Sequence, residues 1–148
     1  MERYRDKNIL IVGMARSGIA SARLMRELGA NVYVNDIKPA DKLKEQLEEL
    51  DIYGIEFYLG KSPDDIIPNM DMIVLSPGVP FDLDFVDTAQ ALGIEVIGEM
   101  ELAYRLCSAP IVAITGTNGK TTTTALVGEI IKTAGYTAHI VGNIGVPF

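Results

Sequence analysis

The sequence predicts an α/β protein with a parallel, doubly wound sheet. Five short apolar runs of strand length alternate with segments whose apolar residues recur at helical spacing, which is typical of such sheets. The first run, Asn8–Val12, reads as a strand that is buried on both faces, as strands covered by helices on both sides are. The pattern starts again after Gly98, so we expect a second α/β unit to begin there.

The first unit is predicted to contain five strands and three helices. Asn8–Val12 is a buried first strand that stops at Gly13, and Ser17 is expected to cap a helix that ends near Leu28. The other predicted strands are Asn31–Val34, Ile55–Leu59, Met72–Leu75 and Ile94–Ile97, and the other helices are Asp41–Leu50 and Phe85–Leu92. We interpret the charge run Asp41–Asp51 as a solvated helix face.

The second unit follows a short predicted helix, Glu99–Leu106. It is predicted to contain the strand Ile111–Thr115, the helix Thr121–Ala134 and the strand Ala138–Val141. One strand–helix–strand repeat is too little to close a hydrophobic core. We therefore expect the chain to be the N-terminal part of a longer, monomeric protein. Its unpaired strand edge would favour association of the isolated fragment.

The amino-acid composition argues against two classes of binding partner, nucleic acids and anionic membranes. The 148 residues carry 20 acidic and 13 basic side chains, a net charge of −7, without a cluster of Lys and Arg. Such a chain is a poor candidate for binding nucleic acid or an anionic membrane. Its single cysteine, Cys107, cannot form an internal disulfide. The apolar runs are far shorter than a membrane span, so we expect a cytoplasmic protein.

The strongest motif is Thr115–Thr122, which reads TGTNGKTT between a predicted strand and helix. Its glycines let backbone N–H groups approach a phosphate, and the helix N-terminus adds positive potential. Lys120 is placed to meet terminal phosphates, and the hydroxyl of Thr121 to ligate Mg²⁺. The loop is shorter than the general phosphate loop, because Ile114 stands where that pattern has glycine. The alternative is a plain turn in which Thr121 only caps the helix.

A second motif, Gly13–Gly18, follows the first strand. It resembles a dinucleotide fingerprint in which Ala15 replaces the middle glycine, and this replacement argues against ordinary NAD binding. Asp36 stands where an acid that binds ribose would be. A diphosphate could still dock at the helix N-terminus. The alternatives are a tight turn without a ligand here, and simple turns or loops at Ser76–Gly78 and Gly142–Gly145.

Together these motifs resemble the Mur ligase family, the ATP-dependent amide-forming enzymes of peptidoglycan synthesis. The matching segments are Ile9–Gly18, Ser76–Gly78, Gly98–Leu102, Ala113–Thr122 and Gly142–Gly145. The shortened phosphate loop is the family's own variant. The motifs of the first unit are most similar to those of the member that adds D-glutamate.

The resemblance implies a three-domain ligase. ATP, with Mg²⁺, converts the carboxylate of UDP-N-acetylmuramoyl-L-alanine to an acyl phosphate, which the D-glutamate amine then attacks. Residues 1–98 would be the Rossmann-like domain that binds the UDP substrate. Residues 99–109 would form a linker helix, and residues 110–148 the start of the P-loop-type ATP-binding domain. Because the rest of that domain and the third domain are missing, we expect the fragment alone to be inactive.

The resemblance also implies roles for individual residues. Residues implied to bind the UDP substrate are Arg16 and Ser17 at the diphosphate, Asp36, Ile37 and Lys38 at the uracil, Ser76, Pro77 and Gly78 in the same pocket, and Asn143 at the sugar. Residues implied to bind ATP are Gly116, Thr117, Asn118, Gly119, Lys120, Thr121 and Thr122. Of these, Lys120 and Thr121 would be catalytic, and Thr121 would hold the metal.

Two other interpretations remain open. One is a non-catalytic, Rossmann-type nucleotide-binding or regulatory domain that senses NAD at Gly13–Gly18, with Lys120 dispensable. The other is a different Mur-family ligase or a folylpolyglutamate synthetase, which would share the phosphate loop but differ in the first domain.

Overall fold

The computed structural model describes residues 2–142. The chain divides into two compact units, residues 1–105 and residues 106–148. The domain limits expected from the sequence stay a prediction. In the part of the chain that the structure describes, no helix is both long enough and apolar enough to cross a membrane.

The first unit is a five-stranded parallel sheet with helices between its strands, and it confirms the predicted fold class. Its elements are β1 (Asn8–Val12), α1 (Arg16–Glu27), β2 (Asn31–Asp36), α2 (Lys44–Leu50), β3 (Glu56–Leu59), β4 (Met72–Leu75), α3 (Asp84–Ala91), β5 (Glu95–Gly98) and α4 (Glu99–Leu106). The strand order is β3-β2-β1-β4-β5. Val12 pairs with both Asn35 and Leu75, so the carboxyl ends of the central strands lie at one edge.

The core lies on both sides of this sheet. Ile9, Leu10 and Ile11 of β1 are fully buried, and neighbouring residues of a strand point to opposite faces. On one face, Leu10 packs in a cluster with residues of β4, α3 and the turn before β4. Helix α1 packs on β1 and β2. Burial on both faces explains why β1 and β4 read as continuous apolar runs.

Two local expectations in the first unit are wrong. Helix α1 begins at Arg16, so Ser17 lies within its first turn, and the residue at the cap position is Ala15, which has no side-chain cap. The expected helix Asp41–Leu50 is a short 3₁₀ turn at Ala40–Lys42 followed by α2.

The second unit contains helix α5, Lys120–Thr133, close to its predicted limits. The strands expected at Ile111–Thr115 and Ala138–Val141 are not formed among the described residues. A strand is defined by hydrogen bonds to a neighbouring strand, and the described residues of this unit offer no such neighbour.

The turn between β1 and α1 is packed so tightly that two positions require glycine. Gly13 has a φ of +97°, in the left-handed region. A Cβ on Gly18 would lie 1.9 Å from the carbonyl oxygen of Gly13 and 2.8 Å from Oγ of Ser76. The backbone of α1 therefore lies directly against the end of β1.

Glu99, the first residue of α4, is a buried carboxyl group with 7% exposure. Burial raises the pKa of Glu99, and a hydrogen bond with the Ser17 hydroxyl acts in the opposite, weaker sense. The raised pKa means that the folded protein binds a proton at Glu99 more tightly than the unfolded chain does.

We predict that Gly18→Ala destabilises the protein by about 1–3 kcal/mol or more, as overpacking does. Alanine favours helix over glycine by only about 1 kcal/mol, and the Gly13 carbonyl belongs to the backbone and cannot rotate away. Denaturant unfolding measures the loss. The matched control is Gly78→Ala, because a Cβ there meets no atom within 4 Å. If the two variants had the same free energy of unfolding, the close contact between Gly18 and the Gly13 carbonyl would be contradicted.

We predict that Glu99→Gln stabilises the protein increasingly as pH rises. Below the ordinary pKa of 4.5, Glu99 is protonated in both states and the substitution has little effect. Above it, the unfolded chain ionises first, so the wild-type protein loses stability until the raised pKa of the folded state is passed. Urea unfolding at pH 4 and pH 8 tests this, with the exposed Glu48→Gln as control. The prediction would be contradicted if the free energies of unfolding of the variant and the wild type differed by the same amount at both pH values.

Candidate functional site

A cavity of about 1010 Å³ opens at the carboxyl edge of the sheet. Its walls include Gly13–Arg16 after β1, Asp36–Lys38 at the end of β2, and Ser76 and Gly78 after β4. The strand order reverses between β1 and β4: the chain runs from β1 to β2 and β3 on one side of the sheet, and then crosses back to β4 and β5 on the other. Open α/β sheets bind ligands in the crevice at such a switch point.

The carboxylate of Asp36 joins two of these walls. Its Oδ2 accepts a hydrogen bond from the backbone N–H of Met14 at 2.8 Å, and its Oδ1 accepts one from the N–H of Lys38 at 2.9 Å. Asp36 thus fixes the glycine turn relative to the residues after β2. Each oxygen has a second lone pair, so the carboxylate can still accept a bond from a ligand.

Ser76 joins the third wall to the same turn. Its side chain is buried, and its hydroxyl donates a hydrogen bond to the carbonyl oxygen of Gly13 at 3.0 Å. The Ser76 backbone N–H donates to the carbonyl of Val12 at 3.0 Å. In this structure the hydroxyl of Ser76 therefore holds the turn in place.

The first turn of α1 presents open hydrogen-bond donors. Within residues 2–142, the backbone N–H groups of Arg16, Ser17 and Gly18 have no acceptor. These donors and the helix dipole favour an anion. Arg16 and Lys38 add two cationic side chains to the cavity lining. The open N–H groups and these two cations are suited to a diphosphate placed at the N-terminus of α1.

Of the nine residues that the sequence predicts to bind the UDP substrate, the structure places six in the lining of the cavity. Arg16, Asp36, Ile37, Lys38, Ser76 and Gly78 line the cavity. Ser17 and Pro77 neighbour lining residues but are not part of the lining, and Asn143 lies outside the described residues. The roles of these residues remain predictions.

Sequence reasoning missed one side of the cavity. Glu45, Gln46 and Glu49 of α2 line it, as do Ser62 and Pro63. The interpretation of this charge run as a solvated face is therefore incomplete. Helical spacing places Glu45 and Glu49 on one face of α2, but no local signal shows that this face meets a cavity.

A second group of open donors lies in the second unit. Gly116 and Gly119 have φ values of +150° and +76°, and Gly119 is the residue before α5. The N–H groups of Lys120, Thr121 and Thr122 have no acceptor among the described residues. The Lys120 ammonium group donates to the carbonyl of Gly116 across the loop. The loop amides are thus open, as phosphate binding requires.

Metal-binding chemistry is sparse in the described part of the chain. Residues 2–142 contain no group of three or more His, Cys, Asp or Glu side chains that could hold a metal ion. The hydroxyl of Thr121, in the first turn of α5, can supply a single oxygen ligand.

Sequence comparison identifies relatives that match almost the whole chain. The UDP-N-acetylmuramoylalanine–D-glutamate ligase of Alkaliphilus oremlandii is 53% identical over 97% of this chain. The enzyme of the same name from Clostridioides difficile is 48% identical over 97%. The chain spans 32% of the length of each relative.

Comparison with solved structures also finds ligases. A pseudomurein peptide ligase type C from Methanothermus fervidus matches with a TM-score of 0.55 and 27% identity, over 87% of this chain and 26% of that one. The UDP-N-acetylmuramate-alanine ligase of Thermotoga maritima matches with a TM-score of 0.57 and 24% identity, over 86% of this chain and 30% of that one. At that identity, the second match supports the fold alone.

The family described as Mur ligase MurD-like, N-terminal domain, matches residues 7–98. That range takes in all five strands of the sheet and the cavity at its carboxyl edge. This chain therefore belongs to the MurD-like Mur ligases, whose N-terminal domain it contains.

Proposed function

We propose that the longer protein of which this chain is a part is an ATP-dependent ligase that joins D-glutamate to UDP-N-acetylmuramoyl-L-alanine. The observation that carries this proposal is the presence of two separate sets of open backbone donors on one chain. One set lies at the N-terminus of α1 and the other at the N-terminus of α5. The names of the relatives agree with it.

The first set and the cavity beside it would hold the UDP portion of the substrate. The diphosphate would lie against the N-terminus of α1, where Arg16 and the open amides offset its charge. Ile37 and Lys38 would meet the uracil, and Asp36 would serve mainly by fixing the loops on either side. The net charge of −7 does not oppose this, because short-range donors outweigh charges that solvent screens.

The second set would hold the phosphates of ATP. When bound, ATP supplies the phosphoryl group that activates a carboxylate, and Mg²⁺ offsets the charge of the phosphates. Lys120 would exchange the Gly116 carbonyl for a phosphate oxygen, and the first amides of α5 would stabilise the negative charge. Thr121 would give one oxygen to the metal. Because ATP is intracellular and the chain has only one cysteine, we propose a cytoplasmic location.

We predict that Lys120→Ala in the full-length protein lowers ATP-dependent amide formation by at least about a hundredfold, because a donor to the transferring phosphate is lost. Release of ADP measures turnover, and calorimetry measures binding of the UDP substrate, which we expect to change less than threefold. Lys132→Ala, at the other end of α5, is the matched control. Normal turnover by Lys120→Ala would contradict the proposal and favour a regulatory domain.

We also predict that the 148-residue chain alone forms no amide bond from ATP, Mg²⁺, D-glutamate and the UDP substrate. It carries the two sets of donors but spans only 32% of the relatives' length. Mass spectrometry of the reaction mixture measures the product, with the full-length protein as positive control. Product formed by the purified fragment would contradict the need for the rest of the chain.

A further inference from the structure

A buried amide at the end of β2 has no role in the site as described so far. Asn35 directly precedes Asp36 and is 1% exposed. It is one of the few polar side chains in the core of the first unit. A buried polar group at the edge of a ligand cavity calls for a physical explanation.

The Nδ2 group of Asn35 holds the chain that leaves β3. It donates hydrogen bonds to the carbonyl oxygen of Tyr58 at 2.7 Å and to that of Lys61 at 2.8 Å. Both acceptors are carbonyl oxygens, so they require the NH₂ side of the amide and fix its orientation. One side chain therefore bonds to the end of β3 and to the residues that follow it.

Residues 60–63, which we call the β3 segment, form part of the cavity wall. The N–H of Gly60 donates to the carbonyl oxygens of Asp36 at 2.9 Å and of Lys38 at 3.1 Å. Ser62 and Pro63 line the cavity, and so does Asn35 itself. The bond from Asn35 to Lys61 thus links β2 to the residue directly before the two that line the cavity.

The other end of the amide indicates that stability alone does not account for this residue. Oδ1 of Asn35 is buried and has no hydrogen-bond partner among residues 2–142. An unpaired buried carbonyl oxygen lowers the stability of the folded state. Other interior positions of β2, such as Val32 and Val34, are apolar. The asparagine is explained by what its Nδ2 group holds.

We propose that Asn35 is a positioning residue for nucleotide binding, which holds the β3 segment in place as one wall of the cavity. This inference rests on the proposed uridine nucleotide site. A wall that is ordered before the ligand arrives spares the ligand the entropic cost of ordering it, so binding is tighter. The loss of Asn35 would leave the sheet in place but free the segment.

The test uses Asn35→Asp in the 148-residue chain. Aspartate has nearly the same shape, but it replaces the two donors with an oxygen that faces two carbonyl oxygens. We expect the affinity for UDP, measured by calorimetry, to fall at least about tenfold, as the loss of a preorganised wall implies. NMR hydrogen exchange should be faster at the amide of Gly60, which is the N–H of the β3 segment that donates to the carbonyl oxygens of Asp36 and Lys38. Asn31→Asp is the matched control in the same strand, since Asn31 is exposed and bonds to Asn8.

A second variant, Asn35→Ser, adds no charge, and its hydroxyl is one bond too short to reach the two carbonyl oxygens, so we expect the affinity for UDP to fall in this variant too. It carries the test if circular dichroism shows that Asn35→Asp does not fold. Folded Asn35 variants that bind UDP like the wild type, with unchanged exchange in the β3 segment, would overturn this inference alone. Failure of the wild-type chain to bind UDP would overturn the proposed nucleotide site and this inference together.

Discussion

The close contact between α1 and the end of β1 determines where the candidate site can form. A Cβ on Gly18 would lie 1.9 Å from the Gly13 carbonyl oxygen, so only glycine allows the helix to begin there. The contact points the open amides of α1 at the carboxyl edge of the sheet. Ser76 and Asp36 then bond to Gly13 and Met14 and bring the ends of β4 and β2 to the same turn. The cavity is the space these contacts leave.

The two sets of donors are built in different ways. The loop before α5 depends on local geometry, on two glycines with positive φ and a helix start. The cavity of the first unit depends on contacts between residues far apart in sequence, such as Asp36 with Met14. A site built by local geometry can be predicted from a short sequence motif. A site built by contacts between distant residues can be predicted from the sequence only in part.

This difference explains what the sequence could predict. The strands β1 and β4 match their predicted limits because strands buried on both faces are continuous apolar runs. The role of Ser17 as a cap was wrong, since the cap position is one that sequence alone places only within a residue or two. The lining by α2 and the bonds of Asn35 depend on tertiary packing, and no spacing in the sequence encodes them. The expected strands of the second unit need partner strands that the described residues do not supply.

The proposed function requires that the turn after β1 binds a uridine diphosphate and not a dinucleotide. The most direct measurement is an NMR titration of the 148-residue chain with UDP and, separately, with NAD. We expect UDP at millimolar concentration to shift the amide signals of Arg16, Ser17 and Lys38, and NAD to leave them nearly unchanged. Shifts with NAD but none with UDP would contradict it.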